Sequence, residues 1–290
     1  MNGGLWGLMA ALAFGGADFC GRLSGRALGP RHAMLGLMVV GAVLLSLHGL
    51  ATGGLPALTA RQAALAVAAG ITATLAPLLF YKSMTYGPLS LVGPICGAYP
   101  AFVVPVTVIM GARPSALEWA AMGVTMLGAL VVAKSAGDDP DGRVAADRTN
   151  RRRAAVTAVA AGAMFAAALL VGREAVLEIG AAASLWLGRC IGVALLVVLI
   201  LAARERPQVP RRWWRLLTLQ GILDSAGYLA FYLGSRGEDA AAAAVASSGF
   251  MVVAVLLGRV ILKEQVTPRC WLGVALVFGG VAVLSTGASS

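Results

Sequence analysis

Apolar stretches of about twenty residues alternate along the chain with short knots of Arg, Lys, Asp, Pro and Gly. A helix needs roughly 20 apolar residues to cross the hydrocarbon core of a bilayer. On that reading the pattern predicts ten membrane-spanning helices, at 4–21, 33–52, 62–84, 88–110, 115–134, 153–172, 182–203, 212–234, 240–262 and 267–286. The stretch 256–280, LLGRVILKEQVTPRCWLGVALVFGG, illustrates the punctuation. Arg259, Lys263, Glu264 and Arg269 crowd together between two apolar runs, as expected where a chain turns at a membrane surface. Connections are short except 135–152, SAGDDPDGRVAADRTNRR, whose Asp- and Arg-rich composition predicts a polar linker.

That linker divides the chain into two similar halves. A shift of 151 aligns Phe14 with Phe165, Gly21 with Gly172, Arg22 with Arg173, Gly29 with Gly180 and Gly41 with Gly192. The same shift aligns Leu44 with Leu195, Leu45 with Leu196, Gly70 with Gly221, Ile71 with Ile222, Phe80 with Phe231 and Tyr81 with Tyr232. Leucine matches are cheap in apolar helices, but Gly, Arg and aromatic matches at one constant offset indicate an internal repeat. Residues 1–134 and 153–290 are then two five-helix repeats joined by a cytoplasmic linker at 135–152. An odd number of crossings per repeat turns the second copy upside down, the arrangement of many secondary transporters. The expected fold is an all-α integral membrane protein of ten transmembrane helices in two inverted five-helix repeats.

Composition agrees with this. The chain is 59% hydrophobic and 12% charged, with a mean hydropathy of +0.83. Soluble domains run at about 45–50% apolar and about 25% charged, so too little polar surface remains to cover a water-soluble globule. The net charge of +10 would suggest nucleic acid in a soluble protein. Here no basic run interleaves aromatics in the manner that stacks bases, and Arg211-Arg212-Trp213-Trp214-Arg215 resembles an interfacial anchor. No nucleic-acid partner is expected. Cys20, Cys96, Cys190 and Cys270 are scattered through apolar surroundings, which predicts neither disulfides nor a metal site. The N-terminal MNGGLWGLMAALAF lacks a positive n-region, so the first run is read as a retained helix.

Charge also orients the helices. Arg22, Arg26, Arg31, Lys82, Lys134, the arginines of 143–153, Arg204, Arg206, Arg211, Arg212, Arg215, Arg259, Lys263 and Arg269 fall on one side. Arg61, Arg113, Arg173 and Arg236 fall on the other. The positive-inside rule makes the first side cytoplasmic and puts both termini outside.

Ionisable groups within membrane helices are costly and are functional candidates by default. Asp224 lies mid-helix in LLTLQGILDSAGYLAFYLG, too far from either end for a short side chain to reach water. Gln220, Asp224, Tyr228 and Tyr232 recur every four residues and form one polar stripe, extended by Ser225. Arg189, in the preceding helix, can pair with Asp224, hold an anionic substrate group or snorkel outward. Asp18 sits one turn from Arg22, as an interfacial i,i+4 pair or as a second titrating carboxylate. Pro77, Tyr81, Pro88, Pro94, Tyr99, Pro100 and Pro105 suggest bent helices lining a cavity. Within that set Tyr81 is matched by Tyr232, and Tyr99 is a further candidate for the pathway. Gly-x-x-x-Gly at Gly188/Gly192 and elsewhere permits close helix packing, and Ser247-Ser248-Gly249 offers hydroxyls. There is no Walker A motif, GxSxG, HExxH or metal-ligand cluster, so no cofactor or metal is expected.

The first helix, LAFGGADFCGR, and the final pair, LGRVILKEQVTPRCWLGVALVFGGVAVLS, resemble the EamA-type transporters of the drug/metabolite transporter superfamily. The resemblance covers essentially the whole chain. It is most specific at Gly258-Arg259, Lys263-Glu264 and Trp271-Leu272-Gly273, with a degraded counterpart, GARPSALEWAAMG, in the first repeat. It implies ten helices, a central cavity and movement of small molecules without ATP hydrolysis, by a monomer or homodimer in a bacterial plasma membrane. Such proteins are usually drawn with both termini cytoplasmic, and the charges here depart from that. The competing expectation is a polytopic membrane enzyme acting on lipid or isoprenoid substrates. It would need clustered acids at a surface, and the one dense run, Asp138-Asp139-Pro140-Asp141, lies in the linker without basic or His partners.

Overall fold

The computed structural model describes residues 3–52, 58–99, 102, 109, 115–135, 148–206, 209–234, 246–247, 249–263 and 266–287. Among these residues there are ten α-helices and no strand: α1 (Gly3–Leu28), α2 (Pro30–Thr52), α3 (Ala60–Tyr86), α4 (Leu89–Gly97), α5 (Ala116–Ser135), α6 (Arg148–Ile179), α7 (Ala181–Ala202), α8 (Trp214–Gly234), α9 (Phe250–Ile261) and α10 (Pro268–Gly287). By length and composition α1, α2, α3, α6 and α7 are each able to cross a membrane. Large apolar side chains such as Leu8, Leu12, Leu47, Val198, Leu201 and Leu229 are exposed on the outer faces. An apolar exterior of this kind is stable only against lipid.

The helix ends differ in places from those expected. Helices at 4–21 and 153–172 run on to Leu28 and Ile179. The charges at 22–26 and 173–178, which the apolar pattern places in loops, stay on the helix. The chain stops instead at Gly29 and Gly180, which take φ of 84° and 82°. A left-handed residue after the last helical turn ends a helix at little steric cost only when it is glycine. Helix α6 also begins earlier, at Arg148, inside the stretch read as linker. The second part of the helix expected at 88–110 and the first part of that at 240–262 lie largely outside the described residues. The start of α3 is a capping box, in which Gln62 N–H donates to Thr59 Oγ1 (3.3 Å) and Thr59 N–H to Gln62 Oε1 (3.0 Å).

Helix packing follows a pseudo-two-fold relation that exchanges α1–α5 with α6–α10. Helix α3 lies against α6 as α1 lies against α8; α3 meets α7 as α2 meets α8; α1 meets α9 as α4 meets α6. The self-related pairs α2–α7, α4–α9 and α5–α10 also touch. Glycines fix this relation residue by residue. A Cβ on Gly70 would come within 2.8 Å of Ile191, and one on its equivalent Gly221 within 2.6 Å of Val40, where Val40 and Ile191 are themselves equivalents. Likewise Gly41 faces Arg189 while Gly192 faces Met38, another pair at the same offset. Lipid supplies no hydrophobic drive between helices, so close backbone approach through small residues carries the association. The fully buried Ala154, Ala158 and Ala161 give α6 the same kind of smooth face against the core.

Two outcomes follow from this architecture. Reporters fused after Arg26 and after Arg173 will read opposite faces of the bilayer, and the same face for both would rule out inversion. Gly29→Ala and Gly180→Ala will each lower thermal stability in detergent by about 1 kcal/mol through left-handed strain. Gly123→Ala, on an α5 face with nothing within 4 Å of the added carbon, will not.

Candidate functional site

Helix α8 carries its polar groups on one stripe because successive fourth residues fall on one face. Gln220, Asp224 and Tyr228 lie along it, and Ser225 sits beside them with its hydroxyl oxygen buried and without a hydrogen-bond partner among the described residues. Tyr232 continues the stripe along the helix, and its side chain lies outside the described residues. Helix α7 brings Arg189 to this stripe, and Arg189 Nη2 donates to Asp224 Oδ2. Only 6% of the arginine side chain and 18% of the aspartate side chain are accessible. A charge in so dry a place persists when it is paired. Arg189 therefore does not snorkel.

The same guanidinium makes two weaker contacts. Its Nη1 lies 3.4 Å from Met38 Sδ on α2, and its carbon lies 5.4 Å from the ring centre of Tyr228, within cation–π range. Tyr228 in turn packs edge-to-face on Phe14 of α1, with centroids 5.1 Å apart. Arg189 Nε is buried without a hydrogen-bond partner among the described residues. It faces Gly41, where a Cβ would stand 3.1 Å away.

One turn along α8 lies a second polar group. Gln220 is fully buried, accepts from Ser24 Oγ of α1 at Oε1 (2.9 Å) and donates from Nε2 to Tyr81 Oη of α3 (2.8 Å). An amide with one donor and one acceptor engaged on two other helices ties three elements together. The Tyr81 ring can approach only because position 21 is glycine, since a Cβ there would fall 2.4 Å from the ring.

Helices α1 and α8 run antiparallel, with Phe14 beside Tyr228, Gly16 beside Leu223 and Ser24 beside Gln220. Asp18 is thereby brought to the depth of Asp224, and its carboxyl lies within electrostatic reach of Asp224, Tyr81 and Cys96. The interface expected at Arg22 is not there: α1 continues past it, the side chain is only 4% accessible, and Nη1 donates to the Gly87 carbonyl oxygen (2.9 Å). Tyr99 reaches the site through a chain of rings, packing on Phe165, which meets Phe80, which in turn meets Tyr81. Ser247 is buried, and Ser248 lies outside the described residues.

The structure thus joins Asp224, Arg189, Gln220, Tyr228 and Tyr81, brings Asp18 near Asp224, and connects Tyr99 to Tyr81 only through Phe165 and Phe80. It adds Ser24, Phe14 and Met38. Ser24 was hidden because charge on both sides marked it as loop. Phe14 and Met38 are apolar residues in apolar runs, and only the repeat hinted at them: Met38 is the equivalent of Arg189 and Ala73 that of Asp224. The charged pair therefore has an apolar mirror image in the first half.

Comparisons with known proteins address the chain as a whole. The family model described as "EamA-like transporter family" matches residues 1–134 and 152–286. A protein from Sinorhizobium sp, named "Uncharacterized transporter in cobO 3'region", is 29% identical over 101 residues, covering 33% of this chain and 72% of that protein. A crystal structure 18% identical in sequence superposes with a TM-score of 0.64 over 99% of both chains, which is a likeness of fold.

Removing Asp224 alone leaves a buried guanidinium without its counter-charge, at a cost on the order of 3–5 kcal/mol. Asp224→Ala and Arg189→Met will each unfold the detergent-solubilised protein well below the wild-type temperature. The double variant, which copies Ala73 and Met38 of the first repeat, will regain most of the loss. Additive losses in this double-mutant cycle would show that the pair is not a structural unit.

Proposed function

The chain belongs to the EamA-like transporter family, a multi-pass membrane transporter, and from that premise we propose a secondary exporter of small metabolites or drugs that works by alternating access of its inverted halves. The observation that carries the reading is the Arg189–Asp224 pair, buried where α2, α7 and α8 meet beside the pseudo-two-fold axis. Inverted-repeat transporters bind their substrates near such an axis, at the interface of the repeats. A structural role alone gives no reason to keep an expensive charge there, given that the first repeat fills the equivalent places with Met38 and Ala73.

Coupling to protons is part of the proposal. Substrate and proton compete for the pair. With Asp224 ionised, a polar group of the substrate inserts between the carboxylate and the Arg189 guanidinium. A proton arriving on Asp224 from outside removes that acceptor and expels the substrate. Departure of the proton to the cytoplasm restores the ion pair and readies the site for the next substrate. The Ser24–Gln220–Tyr81 bridge joins α1 and α3 of one half to α8 of the other, so rocking of the halves breaks and remakes it. Gln220, Tyr228, Tyr232, Ser225, Tyr81, Tyr99 and Asp18 are proposed to line the same pathway. The proposed setting is the plasma membrane of a bacterium, with the Arg-rich connections in the cytoplasm, as a monomer or homodimer whose partners are its small-molecule substrate and the bilayer.

Growth of a deletion strain against toxic metabolites, amino acids and antibiotics will nominate the substrate. Uptake of that compound into inverted membrane vesicles will then rise several-fold under an imposed acid-inside gradient. Asp224→Asn will lose the stimulation while keeping slow downhill flux. Stimulated flux equal to wild type in Asp224→Asn would remove that residue from the coupling.

A further inference from the structure

Polar ties cross between the two halves, and they fall on different helix pairs. The self-related pair α2–α7 is fastened along its length. At the Arg-rich face Arg31 Nη1 lies 2.9 Å from Glu205 Oε1, and His32 Nε2 donates to the Arg206 carbonyl oxygen (3.0 Å). Midway Arg189 meets Met38, and toward the other face Trp186 Nε1 donates to Ser46 Oγ (2.8 Å). A pair held near both ends and in the middle resists parting. Movement between the halves therefore falls on the two seams beside it, α3–α6 and α1–α8, which the two-fold relation exchanges.

These two seams are shut by different residues at different depths. On α3–α6, Arg61 Nη2 lies 3.0 Å from Glu178 Oε1, and Gln62 Nε2 donates to the Glu178 carbonyl oxygen (3.0 Å). This tie joins the first turn of α3 to the last turn of α6, at the face away from the Arg-rich connections. It also sets the positive end of one helix dipole against the negative end of another. The seam α1–α8 cannot build the same tie at the matching place, because Glu178 has Ala27 as its equivalent and Gln62 has Trp213. It is tied one turn deeper, by Ser24 Oγ donating to Gln220 Oε1 (2.9 Å), where the equivalents on α3–α6 are Ala175 and Ala69. Beside that tie, toward the Arg-rich end of α1, lies a cavity of about 410 Å³ whose wall includes Leu23 and Ala27.

We infer that Arg61, Gln62 and Glu178 form the outer gate of the transporter, that Ser24 with Gln220 forms the inner one, and that α2–α7 is the axle between them. The inference rests on the transporter reading above and assigns its gates. The structure holds both ties at once, the occluded arrangement through which an alternating cycle passes. Opening either seam breaks its own tie and leaves the other in place. The Arg61 and Glu178 side chains are 77% and 33% accessible, and an ion pair that solvent reaches is weak enough to break in every cycle. The neutral inner tie is one hydrogen bond between a hydroxyl and an amide, of similar modest strength. Each gate is present in one half only, so each can be removed by installing the residue that the other half already carries.

Distances between paired spin labels on the full-length protein in lipid nanodiscs test this without any substrate. With the four native cysteines replaced, labels at Ala64 and Leu177 span the outer seam and labels at Ala27 and Arg215 span the inner one, all at exposed positions. Glu178→Ala will raise the ratio of long to short distances across the outer seam about fivefold, the scale of one solvent-reached ion pair, and will not lengthen the inner seam. Ser24→Ala will do the reverse, lengthening the inner seam alone. Arg61→Glu will open the outer seam, and adding Glu178→Arg to it will close the seam again, which separates a specific pair from general loosening. Both alanine variants opening the same seam, neither opening one, or no recovery in the charge-swapped pair would overturn the gates. Distances that shift as stated while inverted vesicles export no compound would leave the gates standing and sink the exporter reading instead. Export intact with unchanged distances would remove the gates alone.

Discussion

A guanidinium enclosed by helices within a bilayer needs a counter-charge, and that requirement organises the centre of this protein. Arg189 lies on α7, its carboxylate on α8, the ring it covers on the same α8 stripe, and the sulfur beside it on α2. For these groups to meet, α2, α7 and α8 must approach closely at one depth. Gly41, Gly192 and Gly221 are what allow it, since a methyl group at Gly192 or Gly221 would enter a neighbouring side chain and one at Gly41 would press on Arg189. The small residues and the charged pair are therefore one device: the first sets the distance, and the second makes use of it.

Much of this could be read in the chain. Ten apolar runs, the constant offset between halves and the odd number of crossings together specify inverted repeats. The α8 stripe was legible because Gln220, Asp224 and Tyr228 are polar in an apolar helix, where each such residue needs a reason. Helix ends were less so. Arg22 and Arg173 look like the start of a loop in sequence, yet a long helix can keep an arginine inside when a helix terminus, here the end of α3, offers it carbonyls. The stop is written instead in Gly29 and Gly180, whose importance shows only in backbone angles. Ser24 was illegible for the same reason, because the helix it belongs to seemed already finished. Phe14 and Met38 could not be singled out at all, since packing on an aromatic ring or beside a guanidinium leaves no mark on an apolar residue.

The halves share a scaffold and divide the chemistry. Helix pairings, turn glycines and close-contact glycines recur under the two-fold relation, while Asp224, Gln220 and Arg189 have Ala73, Ala69 and Met38 as their counterparts. Polar groups from the first half, Ser24 and Tyr81, meet the second half's stripe across α1 and α3, and Asp18 lies within electrostatic reach of Asp224. Each half alone would present an incomplete set.

The contact between Arg189 and Met38 has an implication for how such a protein can be encoded. Residues that touch their own equivalents sit almost on the symmetry axis. Two identical five-helix subunits, paired the same way, would bring arginine against arginine at that spot, with like charges repelling in a medium that screens them poorly. Sulfur can face a cation where a second cation cannot. A tandem gene, free to alter one copy and spare the other, can place a lone positive charge at such a position, where a pair of identical subunits cannot.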